Sequence, residues 1–412
     1  MKYFKTDGIR MNANELIFSL LPLKLGRILG EEGKKVCIGF DTRISSSEIY
    51  DLLVTGLITR GCEVISLDVC PTSMVGYITK KEQCDYGIMI TASHNPYYDN
   101  GIKIFNSSGE KLSELEEREI EEYLFKNIIY PKGYKLGKVI SKKEYLESYC
   151  SYLQSVMDFS FKDKVLVDTS NGVLSEVFDK VFKDKLDYKI IEGSPDGKNI
   201  NENCGSEHID NLISKMDDTY SLGVSFDGDG DRLVLVTKDK EILSGEDLLY
   251  LFTREYNYSS LVTTRMSNIG LEEELIKSNK KVIYSDVGDK KVFKKMKEEN
   301  IYLGGESSGH IIFLNSLVTN DALFTLIKYL NLKNREVTYK KYFSKTINLK
   351  VNENTKLLSS LKEEENKLNE ELNNKGKVYI RKSGTQNLLR INIQLKDERL
   401  YQEVYSRIEK LL

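Results

Sequence analysis

An apolar strand followed by an amphipathic helix recurs through most of this chain, and that alternation restricts the fold more than any other feature. "KKVCIGFDTR" reads as a strand running into a turn. "SSSEIYDLLVTGLITRGC" reads as a serine-capped helix with Leu52, Leu53, Gly56 and Leu57 near helical spacing, and "EVISLDV" and "YGIMIT" as further strands. Strand–helix–strand order implies a mostly parallel sheet covered by helices. The pattern restarts at "DKVLVDTSNGVLSEVFDKVF", continues through "YKIIEG" and ends on the strand "SLGVSFDGDGDRLVLV". It restarts again at "GEDLLYLFTREY", with strands "LVTTRM" and "KKVIYSDV". The end of the chain differs: strand-like "YFSKTINLKV", "KGKVYIRKS" and "LLRINIQL" surround the charged helix "KLLSSLKEEENKLNEELNNKG", an α+β pattern. The expected division is 1–150, 151–244, 245–345 and 346–412: three similar α/β domains with mixed or parallel sheets, then a smaller C-terminal α+β domain.

With 412 residues the chain is too long for one ordinary core, which agrees with several domains. The net charge of −3 comes from interspersed basic and acidic residues, which argues against nucleic acid or an anionic membrane as partner. No apolar run approaches spanning length and "MKYFKTDGIRMNANE" lacks a signal-peptide core, so a cytoplasmic location is expected. The six cysteines are widely spaced, without a CxxC pair, and are expected to be reduced core thiols.

Four stretches carry polar groups in patterns that suit chemistry. In "ITASHNPYYDNGIKIF", Ser93 precedes His94, one of only three histidines, but in an extended chain adjacent side chains point apart, so a Ser–His dyad is not expected. In "FDGDGDR", Asp227, Asp229 and Asp231 alternate with glycines that let the chain curl. Three hard oxygen donors suit Mg²⁺ bridged to a phosphate. An EF-hand is excluded because Arg232 and Lys238 stand where Gly and Glu are required. The alternative for this stretch is a solvated Asp-Gly turn. "LGGESSGHII" offers carboxylate, hydroxyl and imidazole together, a set suited to a sugar, or a plain turn. "IRKSGTQNLLR" brings cations, hydroxyls and flexible backbone together, as a phosphate-holding loop does, or forms a basic surface turn. An exposed serine beside a metal site and a phosphate clamp points to phosphoryl transfer.

Taken in order, Thr91–Pro96, Asp227–Arg232, Gly305–His310 and Arg381–Thr385 resemble the four motifs of the α-D-phosphohexomutase family: T/S-A-S-H-N-P, D-G-D-G-D-R, G-E-x-S-G-H and R-x-S-G-T. The resemblance covers essentially the whole chain and implies four domains around a central cleft. The stretches "YFKTDGIR", "NINENCGSEH", "RMSNIGLE" and "VGDKKVFKKM" resemble the bacterial branch that interconverts glucosamine 6-phosphate and glucosamine 1-phosphate for cell-wall precursors. Phosphogluco- or phosphomannomutase activity is the alternative, and a Mg²⁺-dependent sugar phosphatase a further one.

The resemblance implies that Ser93 carries the phosphoryl group and passes it to a hexose phosphate through a 1,6-bisphosphate, which also primes the enzyme. It implies Mg²⁺ on Asp227, Asp229, Asp231 and the Ser93 phosphate, with Arg10 and His94 bordering that serine. Lys103, Arg232 and His310 become candidates for proton transfer or charge neutralisation. Glu306, Ser308 and His310 would meet the sugar; Arg381, Ser383, Gly384, Thr385 and Arg390 would clamp the distal phosphate. A monomer or homodimer is expected. Lys5, Met11, Ser307 and Gln386-Asn387 depart from the family pattern, and none of these removes a named catalytic group.

Overall fold

Four β-sheets organise the chain, and the first strand of the fourth, Phe343–Lys350, begins before the boundary expected at 345/346. The structure is a computed structural model describing residues 2–5, 7–124, 126, 135–314, 316, 320–350, 355–382 and 388–412. The first sheet has seven strands in the order Phe4–Lys5, Gly8–Asn12, Asp99–Asn106, Tyr86–Ile90, Lys35–Phe40, Glu63–Val69 and Lys138–Ser141. Its Val/Ile-rich centre is parallel, as the strand–helix alternation predicts, but Tyr86–Ile90 and Asp99–Asn106 pair antiparallel. The second sheet has five strands and the third four, each also combining parallel and antiparallel pairs. The fourth is a three-stranded antiparallel sheet, Phe343–Lys350, Leu388–Leu395 and Gly376–Lys382, backed by helices Thr355–Leu372 and Tyr401–Glu409.

One expected strand is two. "SLGVSFDGDGDRLVLV" divides into Tyr220–Phe226 and Leu233–Thr237, paired antiparallel so that Phe226 faces Leu233 and Asp227–Arg232 forms the turn between them. The same device recurs at two further motifs. The serine loop joins two antiparallel strands of the first sheet, and the sugar loop joins Leu303–Gly305 to Ile311–Phe313. Residues 383–387, between the antiparallel strands ending at Lys382 and starting at Leu388, lie outside the described residues. The serine, metal and sugar motifs therefore each hang from a hairpin, where two hydrogen-bonded strands fix the ends.

One apolar core runs through the first three sheets, joining Cys37, Val165 and Leu261, with a satellite core on the other face of the first sheet. The C-terminal unit has its own core around Leu361, Ile391 and Ile408. It is attached through polar contacts: the buried Gln394 accepts from the Ile269 N–H at 2.9 Å and donates to the carbonyls of Met266 and Ser267 at 3.0 and 3.1 Å. All six cysteines are buried free thiols, as expected. Among the described residues no helix is long and apolar enough to cross a membrane.

Candidate active site

Ser93 is buried and sits in the left-handed region, with φ of 54°. Its N–H donates to Thr91 Oγ1 at 2.8 Å, and its hydroxyl donates to Asp227 Oδ2 at 2.8 Å, 134 residues along the chain. The left-handed turn corrects one expectation: the chain is not extended here, so His94 Nδ1 does approach Ser93 Oγ, at 3.4 Å. Burial, with Arg232 and Arg10 nearby, pushes the His94 ring down to about 2, so it is a neutral neighbour.

Asp227, Asp229 and Asp231 are buried, and one carboxylate oxygen from each lies within 4.8 Å of the others. Gly230, with φ of 72°, makes the turn that brings them together. Asp227 Oδ1 accepts from the N–H groups of Asp231 and Arg232, both at 3.1 Å. Burial and the two neighbouring carboxylates nonetheless push the Asp227 carboxyl well above the usual range. Asp229 Oδ2 accepts from Thr72 Oγ1 at 2.6 Å, while its buried Oδ1 has no partner among the described residues. A buried anionic oxygen left unbonded costs stability unless a cation meets it. The donor set and this free oxygen fit a hard divalent cation.

Lys103, fully buried, reaches Asp229 Oδ2 at 2.8 Å, Asp231 Oδ2 at 2.9 Å and Asp7 Oδ2 at 3.2 Å. Burial opposes its charge, but these carboxylates hold its pKa well above the ordinary lysine value. Asp7 is shared further: Arg10 donates to it at 2.7 Å and Lys111 at 2.6 Å. Lys111 also pairs with Asp289 from the third sheet's unit. Arg10 keeps a buried Nε without a partner among the described residues.

The sugar loop closes onto the metal loop. Gly309, with φ of 93°, lies so close to Leu233 that a Cβ would sit 2.3 Å from its carbonyl oxygen. His310 Nδ1 meets Glu306 Oε2 at 3.1 Å, and Nε2 lies 3.1 Å from both Asp231 Oδ1 and Arg232 Nε. A neutral ring would accept from Arg232, and a protonated one donates to Asp231. Burial and Arg232 disfavour the charge, but Asp231 and Glu306 raise the ring to about 10. Glu306 Oε1 accepts from the Gly288 N–H at 2.9 Å, and Arg232 is drawn toward Glu207 at 2.7 Å. Ser308 lies in this loop, half-buried.

In the C-terminal unit, Arg381 and Arg390 stand on paired strands rather than in the loop. Ser383, Gly384 and Thr385 lie outside the described residues. Sequence reading missed Asp7, Thr72, Lys111 and Asp289. Asp7 had a local signal, an acid three residues before Arg10. Thr72 had none, because its partner is 157 residues away.

Models of the phosphoglucomutase/phosphomannomutase family match residues 1–130 (alpha/beta/alpha domain I), 244–349 (alpha/beta/alpha domain III) and 347–411 (C-terminal domain). The chain is 37% identical to phosphoglucosamine mutase from Staphylococcus aureus strain JH9, covering 95% of this chain and 94% of that one. The protein is an α-D-phosphohexomutase. As a member of this family it shares its fold with a phosphoglucomutase/phosphomannomutase family protein from Burkholderia thailandensis: TM-score 0.86, 21% identity, 99% of this chain and 96% of the other. The N-acetylphosphoglucosamine mutase of Aspergillus fumigatus, solved with GlcNAc-6P and magnesium, gives a TM-score of 0.68 at 15% identity over 99% of this chain and 95% of that one.

Proposed function

We propose that this phosphohexomutase interconverts glucosamine 6-phosphate and glucosamine 1-phosphate through a phosphoserine at Ser93 and a 1,6-bisphosphate. The observation that carries the chemistry is the Ser93 hydroxyl held 2.8 Å from Asp227 within a buried carboxylate triad. The substrate rests on the likeness to phosphoglucosamine mutase across nearly the full chain. On this reading the four sheets are four domains close to the boundaries expected from the sequence, the last starting a few residues earlier at Phe343, and the enzyme works in the cytoplasm.

Asp227, Asp229 and Asp231 would hold Mg²⁺, which neutralises phosphoryl charge during transfer. Ser93 Oγ gives its phosphoryl group to a sugar oxygen: the P–O bond to serine breaks, one to the sugar forms, and the proton that the sugar hydroxyl loses is balanced by the one that the departing Ser93 oxygen gains to become a hydroxyl again. After the bisphosphate reorients, its other phosphoryl group returns to Ser93. Lys103 and His310 both hold protons firmly, which suits stabilising negative charge or protonating a departing oxygen better than accepting a proton. Glu306, fixed by Gly288 and His310, keeps lone pairs for sugar hydroxyls, with Ser308 beside it. Arg381 and Arg390, with the 383–385 backbone and hydroxyls, would hold the phosphate that does not react.

The test is a panel of glucosamine, glucose and mannose 6-phosphates with Mg²⁺, run with and without glucose 1,6-bisphosphate. Glucosamine phosphate should be preferred, and Ser93→Ala should abolish both turnover and the phosphoryl mass on the protein. Preference for glucose or mannose phosphate would overturn the substrate, and free phosphate release surviving Ser93→Ala would overturn the mechanism.

A further inference from the structure

The stretch "NINENCGSEH", 199–208, does not belong to any of the four motif loops, yet it touches two of them. Asn201 Nδ2 donates to the carbonyl of Ser93 at 2.9 Å and to that of Asn95 at 3.2 Å. Arg43, buried and paired with Asp41, donates to the same two carbonyls at 2.9 and 2.8 Å and to that of Pro96 at 2.5 Å. Six residues after Asn201, Glu207 holds Arg232.

The stretch is itself anchored to the root of the metal loop. The Gly205 N–H donates to Asp168 Oδ2 at 2.8 Å, at the end of the strand Lys164–Asp168. The Ser206 N–H donates to the carbonyl of Phe226 at 3.0 Å, the residue immediately before Asp227. A left-handed serine costs energy and persists only where its surroundings over-determine it. Here the donors that fix its carbonyl come from two units: Arg43 from the unit that carries Ser93, and Asn201 from the unit that carries Asp227.

We propose that segment 199–208 is a positioning strap: Asn201 holds the backbone of the Ser93 loop, with Arg43, in the left-handed turn that aims Oγ at Asp227, and Glu207 holds Arg232 beside it. Asn201 is a positioning residue that touches no reacting atom. The strap gives two loops far apart in sequence a common reference, so that serine and carboxylate triad keep their separation when the cleft takes up substrate. Its catalytic consequence rests on the reading of Ser93 as the phosphoryl carrier; its structural content does not.

Asn201→Asp keeps the side-chain shape but replaces the donor with an oxygen facing two carbonyls, and Asn201→Ala removes the group. In both variants of the full chain, hydrogen exchange should be about tenfold or more faster at the Ser93 and Asn95 amides, with the strand Lys164–Asp168 unchanged. Glu207→Gln, in the same segment, should leave those two amides as in wild type. In the panel assay kcat should fall about 10–100-fold for Asn201→Asp with KM held within about threefold, the sign of misplacement rather than lost binding. Unchanged exchange at Ser93 and Asn95 in Asn201→Asp overturns the proposal whatever the activity. A wild-type protein whose Ser93 takes no phosphoryl group from glucose 1,6-bisphosphate overturns the catalytic reading instead, and the exchange measurement still decides the strap.

Discussion

Arg381 and Arg390 face each other across paired antiparallel strands, and each has a buried Nε with no hydrogen-bond partner among the described residues. Burial, then the neighbouring guanidinium, lowers the Arg381 pKa. Two like charges directly opposite on a sheet destabilise it, so the pair is an unfilled demand for a dianion. Inorganic phosphate should raise the melting temperature of the wild-type protein and have little effect on Arg390→Ala. The same variant should raise KM for hexose phosphate by about 10–100-fold, the worth of one charge-assisted hydrogen-bond pair. Steady-state kinetics and a thermal-shift titration check both.

Thr72 reaches the metal loop from the first unit, and its hydroxyl occupies one oxygen of Asp229 while the other stays open. Thr72→Val keeps the shape and removes the donor. Mg²⁺ affinity should drop by about tenfold, as for other groups that orient a metal ligand, measured by isothermal titration calorimetry. Asp229→Asn should abolish the heat of binding.

Lys103 is the cation shared by two buried carboxylates, Asp229 and Asp231, and by the half-buried Asp7. Lys103→Met leaves them uncompensated, and the protein should lose about 3–5 kcal/mol of stability. Millimolar Mg²⁺ should return part of that loss, because a second cation reaches two of the same three groups, whereas activity should stay absent. Denaturant melts with and without Mg²⁺ separate the two effects.

Glu246, buried in the first turn of helix Gly245–Glu255, has its carboxyl pushed up to about 7 by burial. A folded-state pKa above the unfolded value means that the folded protein binds the proton more tightly. The stabilisation is complete below the ordinary glutamate range and is lost as pH rises through about 7. Glu246→Gln mimics the protonated form, so it should melt about 2–5 °C higher than wild type at pH 8, with the gap closing as pH falls below the ordinary glutamate range.

The alternation of strand and helix made the α/β units legible, because apolar periodicity reports which face of each element is buried. The motif loops could be singled out for a different reason: each holds its polar residues within a few positions, and their order along the chain matches a family pattern. What the sequence hid lies between units. Nothing local marks Thr72 as the partner of Asp229 or Lys111 as the bridge from Asp7 to Asp289, since those contacts exist only once separate sheets have docked. Ser93 was misjudged in two respects: it is buried rather than exposed, and its backbone is not extended. Its left-handed backbone is imposed by Arg43 and Asn201, and so its approach to His94 could not be inferred from adjacency.

The apolar core that joins the first three sheets stops short of the fourth, whose interior is closed and whose attachment runs through Gln394. Modularity in this molecule is therefore uneven. The three larger units share one interior and must be inherited and redesigned together. The C-terminal unit carries its own solvent-excluded centre and one arginine pair, and it is the part that recombination could exchange without disturbing the serine or the carboxylates.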